Sequence, residues 1–189
     1  MENALIVSRL EKGTDFFKES LNVAGVSQIT ALVSCGEARR LLVEREFDLV
    51  IVNAPLQDES GEKFARFVAA KNTSQVILVV KSEFFDAVSA ACEGDGVLTI
   101  SKPLNKSVFW SALSLAKSAL IRIKRMQSEN LRLVQKIEDI RIVDRAKCML
   151  ISYTNMDESE AHRYIGKQAM DMRCSKREVA EGILKTYES

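Results

Sequence analysis

Few side chains in this 189-residue chain could carry chemistry, and most of those that could are cations. His162 is the single histidine, and no nucleophile or carboxylate stands at motif spacing from it, so general-base catalysis is not expected. Cys35, Cys92, Cys148 and Cys174 are scattered, with no CxxC pair and no histidine cluster. They read as free thiols in a reducing cytoplasm, not as a zinc site, and no other metal or cofactor is implied. What remains is a basic set near the end of the chain: Arg145 and Lys147, then His162, Arg163 and Lys167, then Arg173, Lys176 and Arg177. Ser175-Lys176-Arg177-Glu178 is also a capping box, so the free amides of a helix start would stand beside two cations. That combination suits a phosphate. For each residue taken singly, the alternative is a solvated helix face.

The elements that would position this set lie between Ile137 and Tyr187. A helix arriving from upstream ends near Tyr153, where Thr154 and Asn155 interrupt the pattern. Asp157-Glu158-Ser159-Glu160 is a second capping box and opens the next helix. Ala161, Tyr164, Ile165, Gln168, Ala169 and Met172 follow at helical spacing and give it one mostly apolar stripe. Val179, Ile183, Leu184 and Tyr187 give the last helix its buried face. Three helices in about 50 residues make a bundle too small to enclose a catalytic cleft. Arg145, Lys147, Lys176 and Arg177 are expected to converge on one outer face of it.

These residues also carry a resemblance. Asp144-Arg145-Ala146-Lys147, then Glu160-Ala161, an apolar helix with Met170, a short basic turn and Glu178-Val179-Ala180 resemble the ANTAR domain. The resemblance implies an RNA-binding antitermination module attached to a response-regulator-like protein. In that family Ala-Lys-Gly is usual, whereas Cys148 follows Ala146-Lys147 here.

The first 117 residues alternate strands and helices. The strands are Asn3–Ser8, 28–33, 48–54, 76–80 and 97–100; helices are read at 15–23, 37–45, 62–71 and 84–92. Continuous apolar runs such as DLVIVNA belong to strands buried on both faces, which predicts an α/β, flavodoxin-like doubly wound parallel five-stranded sheet ordered 2-1-3-4-5. The pattern resembles the receiver domain of two-component response regulators, with Gly61 and Ser101-Lys102-Pro103 in place. The resemblance implies a carboxylate cluster holding Mg²⁺ beside a nucleophilic aspartate. Here the acidic pair falls on Ser8 and Arg9, the phosphoacceptor on Asn53, and the hydroxyl position near Val80-Lys81. Lys102 alone matches, and Arg9 would place a cation at the metal position. Asp58 and Glu59 read as solvated loop charges. The expectation is a receiver with a degenerate phosphorylation site, serving as an interaction platform.

Between the two regions runs a long helix, from about Lys106 to Tyr153, without glycine or proline. Ala116, Ile123, Asn130 and Ile137 fall seven apart, as do Ala119, Met126, Leu133 and Ile140 three residues later. This a/d seam predicts a parallel dimer through Ile123, Met126, Asn130, Leu133, Ile137 and Ile140, with Asn130 setting register. Leu120 and Val134 widen the stripe, which leaves packing along the helix's own first domain as the alternative. Lys124, Arg125 and Arg132 lie off the seam and are expected in solvent. The domains are read as 1–117, a coiled-coil linker 118–136, and 137–189.

Composition adds bounds. Lys and Arg number 27 against 26 acidic residues, but from Ile121 onward the net charge is +3 and before it −2. That split permits an RNA partner without demanding one. No apolar run approaches the ~18 residues of a membrane span, and no signal peptide is apparent. The sequence therefore points to a cytoplasmic, dimeric, non-enzymatic antitermination regulator that binds stem-loop RNA in nascent mRNA. A regulatory protein partner is expected on its receiver-like domain, and the alternative is a signalling adaptor whose two domains bind proteins.

Overall fold

Strands form where β-branched runs are buried on both faces, and the computed structural model, which describes residues 1–9, 11–71 and 73–187, pairs five of them in parallel. They are β1 (Asn3–Ser8), β2 (Gln28–Leu32), β3 (Leu49–Asn53), β4 (Gln75–Lys81) and β5 (Leu98–Lys102), in the expected order 2-1-3-4-5. The intervening helices are α1 (Glu11–Val23), α2 (Cys35–Glu44), α3 (Glu62–Ala69) and α4 (Phe85–Glu93), the last preceded by one 3₁₀ turn. Strand periodicity sorts the core. Leu5, Val7, Val50, Val52 and Leu78 face α2, α3 and α4, while Ala4, Ile6, Leu49, Ile51 and Ile77 face α1 and the start of α5 (Lys106–Thr154). Phe17 of α1 and Phe109 of α5 are fully buried on that second face, with ring centroids 5.3 Å apart.

The chain divides into two compact units, residues 1–124 and 125–189. The first turns of α5 belong to the first unit, where Ala116 and Leu120 are buried. This corrects the seam: its first heptad is spent on the core of the first unit, because α5 has to cover the sheet face that α1 leaves open. Lys124 is exposed, as expected, and it also has a partner. Its ammonium pairs with the Asp48 carboxylate at 2.7 Å, ahead of β3.

In the second unit the last turns of α5 pack with α6 (Glu158–Asp171) and α7 (Lys176–Tyr187) around Ala146, Leu150, Ala161, Ile165, Ala169, Ala180 and Leu184. Alanines at 146, 161, 169 and 180 let the three backbones approach closely. The Asp157/Glu160 capping box is present in both directions. Ser175 and Glu178 exchange the same pair of bonds at the start of α7, at 2.7 and 3.2 Å. Asn155 and Arg173 take left-handed backbone conformations, which end α5 and α6. Tyr164 and Met172 do not join the buried stripe of α6. They are 40% and 66% exposed, because the alanine-rich contact is too narrow to cover them.

Asp48 yields a stability test. Burial opposes its ionisation, but the Lys124 ammonium, the Glu2 amide and the terminal amino group outweigh that and hold its carboxyl below the ordinary aspartate range. A carboxyl lowered in the folded state stabilises above its unfolded value of about 3.9, and that stability is lost as pH falls through the folded value. Asp48→Asn is expected to cost about 1–3 kcal/mol at pH 7 in denaturant melts. The gap from wild type should narrow below about pH 4.

Candidate functional site

Two sites have to be weighed: the carboxyl ends of the strands in the first unit, and the surface of the bundle in the second. In the first, sheet register sets Ser8 directly beside Asn53. The Asn53 amide donates to the Ser8 hydroxyl at 3.0 Å, and its Oδ1 is buried without a partner among the described residues. Gly13 closes over this pair: a Cβ there would stand 2.6 Å from the Asn53 amide nitrogen. The Gly13 backbone thus takes the space beside Asn53.

Lys102 donates to the Ala54 carbonyl, and burial, with Lys81 nearby, lowers its ammonium pKa. Arg9 is exposed, and it is Ser8 that meets Asn53. Val80 is buried within β4, which runs on to Lys81, so the first hydroxyl after that strand is Ser82. Asp58 is an exposed loop charge, as expected, and Glu59 is half-buried, but both have partners. Asp58 accepts from the Cys35 and Gly36 amides at 3.0 and 2.8 Å at the start of α2, and Glu59 pairs with Arg39 at 2.9 Å. They are committed to holding α2.

On the bundle, two grooves meet. The first, of about 350 Å³, lies among α5, α6 and α7, and Lys147, His162, Lys176 and Arg177 reach it. The second, of about 670 Å³, runs between α6 and α7 and is lined by Arg163, Lys167, Met170 and Cys174. His162 and Lys176 line both. The Lys176 stem crosses Gly166, where an added Cβ would stand 3.8 Å from its Cε. Six of the eight basic residues expected from the sequence are therefore brought together. Arg145 and Arg173 line neither groove; Arg145 makes interactions of its own, and Arg173 occupies the turn after α6.

Lys147 and Arg177, expected as RNA contacts on the outer face, are both tied to carboxylates. Lys147 lies 2.7 Å from Asp144 and 3.3 Å from Glu158, and only 15% of its side chain is exposed. Arg177 donates to Asp139 and Glu181, each at 2.8 Å. The hydrogen bonds to these carboxylates, Asp144 first for Lys147 and Asp139 first for Arg177, raise both cations' pKa values. The same contact with Arg177 holds Asp139 below the usual carboxylate range. In the second groove Arg163, Lys167 and Lys176 have no carboxylate among the lining residues.

Sequence reasoning missed Asp139, Asp144 and Val143 as groove residues. The i, i+3 spacing of Asp144 and Lys147 was the available signal. It also missed the stacked Tyr153–Tyr187 pair, with centroids 5.0 Å apart, because those rings are 34 positions apart in the chain.

The comparisons with known proteins follow this division. Residues 131–184 match the ANTAR domain family. The transcriptional regulatory protein PdtaR of Mycobacterium tuberculosis is 29% identical over 150 residues, covering 79% of this chain and 73% of PdtaR. That alignment is longer than either unit, so it extends into both. Among solved structures, a two-component response regulator from Clostridium difficile superposes with a TM-score of 0.54 at 18% identity, covering 62% of this chain and 97% of that one. A CheY-like receiver domain from Methylobacillus flagellatus gives 0.51 at 25% identity, covering 61% and 98%. The receiver domain of the TMAO respiratory system response regulator TorR gives 0.53 at 20%, covering 65% and 99%. The chain carries a receiver fold followed by an ANTAR domain.

β3 ends on Asn53, and a side-chain amide does not form an acyl phosphate. Incubation with acetyl phosphate and Mg²⁺ should leave the intact mass unchanged. A stoichiometric, base-labile phosphate on Asp58 or another carboxylate would defeat this reading.

Proposed function

We propose that this chain, a receiver fold joined to an ANTAR domain, is a transcription antitermination regulator that binds stem-loop RNA in nascent mRNA as a dimer. The observation that carries the proposal is the meeting of two grooves at His162 and Lys176 within the ANTAR match. The wider groove offers Arg163, Lys167 and Lys176 to phosphates, on one face of two helices. A bound stem-loop would keep a competing terminator hairpin from forming. The role is regulatory, not enzymatic, and the working compartment is the cytoplasm. Among the described residues no helix is long and apolar enough to cross a membrane. With Asn53 at the acceptor position, control would come from a protein partner or ligand on the receiver fold. The working division is receiver 1–117, linker 118–136 and RNA-binding bundle 137–189.

The dimer is supported by α5. Met126, Leu133, Ile137 and Ile140 are each more than half exposed in the single chain, although helix surfaces in contact with water seldom carry such a stripe. A second copy, paired through this stripe with Asn130 in it, would cover these side chains. Leu133→Asp with Ile137→Asp should convert the dimer to a monomer in light scattering, with the helical content retained. A wild type already monomeric at micromolar concentration would rule the seam out.

RNA binding is tested with hairpin RNAs titrated at several salt concentrations. Lys167→Ala with Lys176→Ala should weaken binding about 10- to 100-fold and make the salt dependence shallower by about two charges. These two are better probes than Lys147 and Arg177, whose removal would also free four carboxylates. Linked modules gain effective concentration on linked targets, so a two-hairpin RNA should outcompete either hairpin, and the seam variant should lose that advantage. No binding to structured RNA at low salt would leave the adaptor reading in its place.

A further inference from the structure

On the first unit a cleft of about 480 Å³ opens at the amino ends of β4 and β5, at the other end of the sheet from Ser8 and Asn53. Leu115, Ser118, Ala119, Arg122 and Ile123 line it from one stripe of α5. Gln75 and Leu98, the first residues of β4 and β5, line it from the sheet. The volume lies in the range of small-ligand sites. Its apolar side chains are all aliphatic, and Leu115 among them is 61% exposed, so it has area left to bury.

The charge of the cleft is unbalanced by one group. Asp95 is in the lining, and it is already paired with the Arg66 guanidinium of α3. Counting Arg66, two cations stand against one carboxylate, and the charge left over belongs to Arg122. Among the described residues Arg122 has no ion pair or hydrogen bond. Its neighbours one turn away on α5 are Ser118, Ala119, Arg125 and Met126, none of them acidic. The Ser118 hydroxyl and the Gln75 amide likewise have no partner among the described residues.

We propose that this cleft binds a small aliphatic monocarboxylate. Arg122 holds the carboxylate, with Ser118 and Gln75 as neutral donors, and the chain lies over Leu98, Leu115, Ala119 and Ile123. A guanidinium meets a carboxylate through two parallel hydrogen bonds, which suits one negative charge. A second would find no further cation and would meet Asp95. No aromatic side chain lines the cleft, so a ring would gain no stacking there. Ala119 and Ile123, both half-buried, are also the seam positions next after the buried Ala116. A chain lying on them competes with the second copy, so ligand and dimer each weaken the other by the same factor. The binding site stands on the cleft alone; its effect on assembly rests on the dimer reading above.

The test titrates the full-length protein by calorimetry with straight-chain carboxylates from butanoate to decanoate, and with octanol and octylamine as uncharged and cationic controls. Octanoate should bind once per chain with a Kd on the order of 1 mM or tighter. Octanol should bind at least about tenfold more weakly, and octylamine more weakly still. Arg122→Gln, at an exposed and unpaired position, should keep the wild-type melting temperature, lose roughly tenfold or more of octanoate affinity, and bind octanol unchanged. Saturating octanoate should raise the dimer Kd a few-fold in wild type and not in Arg122→Gln. No saturable binding by any carboxylate of the series overturns the proposal, as does octanoate binding that Arg122→Gln leaves intact. Binding that survives Arg122→Gln and is lost in Leu133→Asp with Ile137→Asp would put the chain on the exposed stripe of α5 instead. A monomeric wild type that still binds octanoate through Arg122 upholds the site and removes only the dimer reading.

Discussion

The 49 residues of α5 run without a glycine or proline, so one apolar stripe has to be answered by whatever lies beside it along the way. Near the start the answer is the sheet, with Phe109, Leu113, Ala116 and Leu120 buried. Near the end it is α6 and α7, which bury Ala146 and Leu150. In between, from Met126 to Ile140, large apolar side chains remain exposed in the single chain. Each exposed Leu or Ile of that stretch forgoes burial worth about 1.5–3 kcal/mol, so the helix is most stable when something covers it. The proposed second copy is the occupant whose own stripe has the same period.

The cations of the bundle show how weakly composition predicts an electrostatic site. Lys147 and Arg177 have the charge of Lys167 and Lys176, and they sit on the same short sequence. Yet the first two are tied to carboxylates from α5, α6 and α7, while Lys167 lines a groove without them and Lys176 stands where the two grooves meet. Net charge on a segment governs long-range attraction; pairing at 3 Å governs what a groove will accept. Here the pairing separates two neighbouring grooves that a charge count would merge.

The receiver fold shows how a scaffold stands without a carboxylate at the end of its third strand. Its stability comes from the two apolar layers on the sheet and from helix-start contacts such as Asp58 at α2, none of which requires an aspartate at the end of β3. With Asn53 neutral, the position is tucked under Gly13 against Ser8, where a carboxylate would be desolvated.

Local order and short-range chemistry were legible in the sequence. Strand runs, the 2-1-3-4-5 order, both capping boxes and the long helix follow from side-chain period and from hydrogen bonds spanning three or four residues, and the ANTAR residues follow from order and spacing. The basic set was legible as a set, because helical period places residues on faces. What only the tertiary structure decided depends on partners far apart in the chain. Lys124 meets Asp48 and Arg177 meets Asp139 across 76 and 38 positions, contacts that no local pattern encodes. Nor does the seven-residue repeat say where its stripe changes partner: Ala116 and Met126 satisfy the same period, and only the end of the sheet determines that one is core and the other is not.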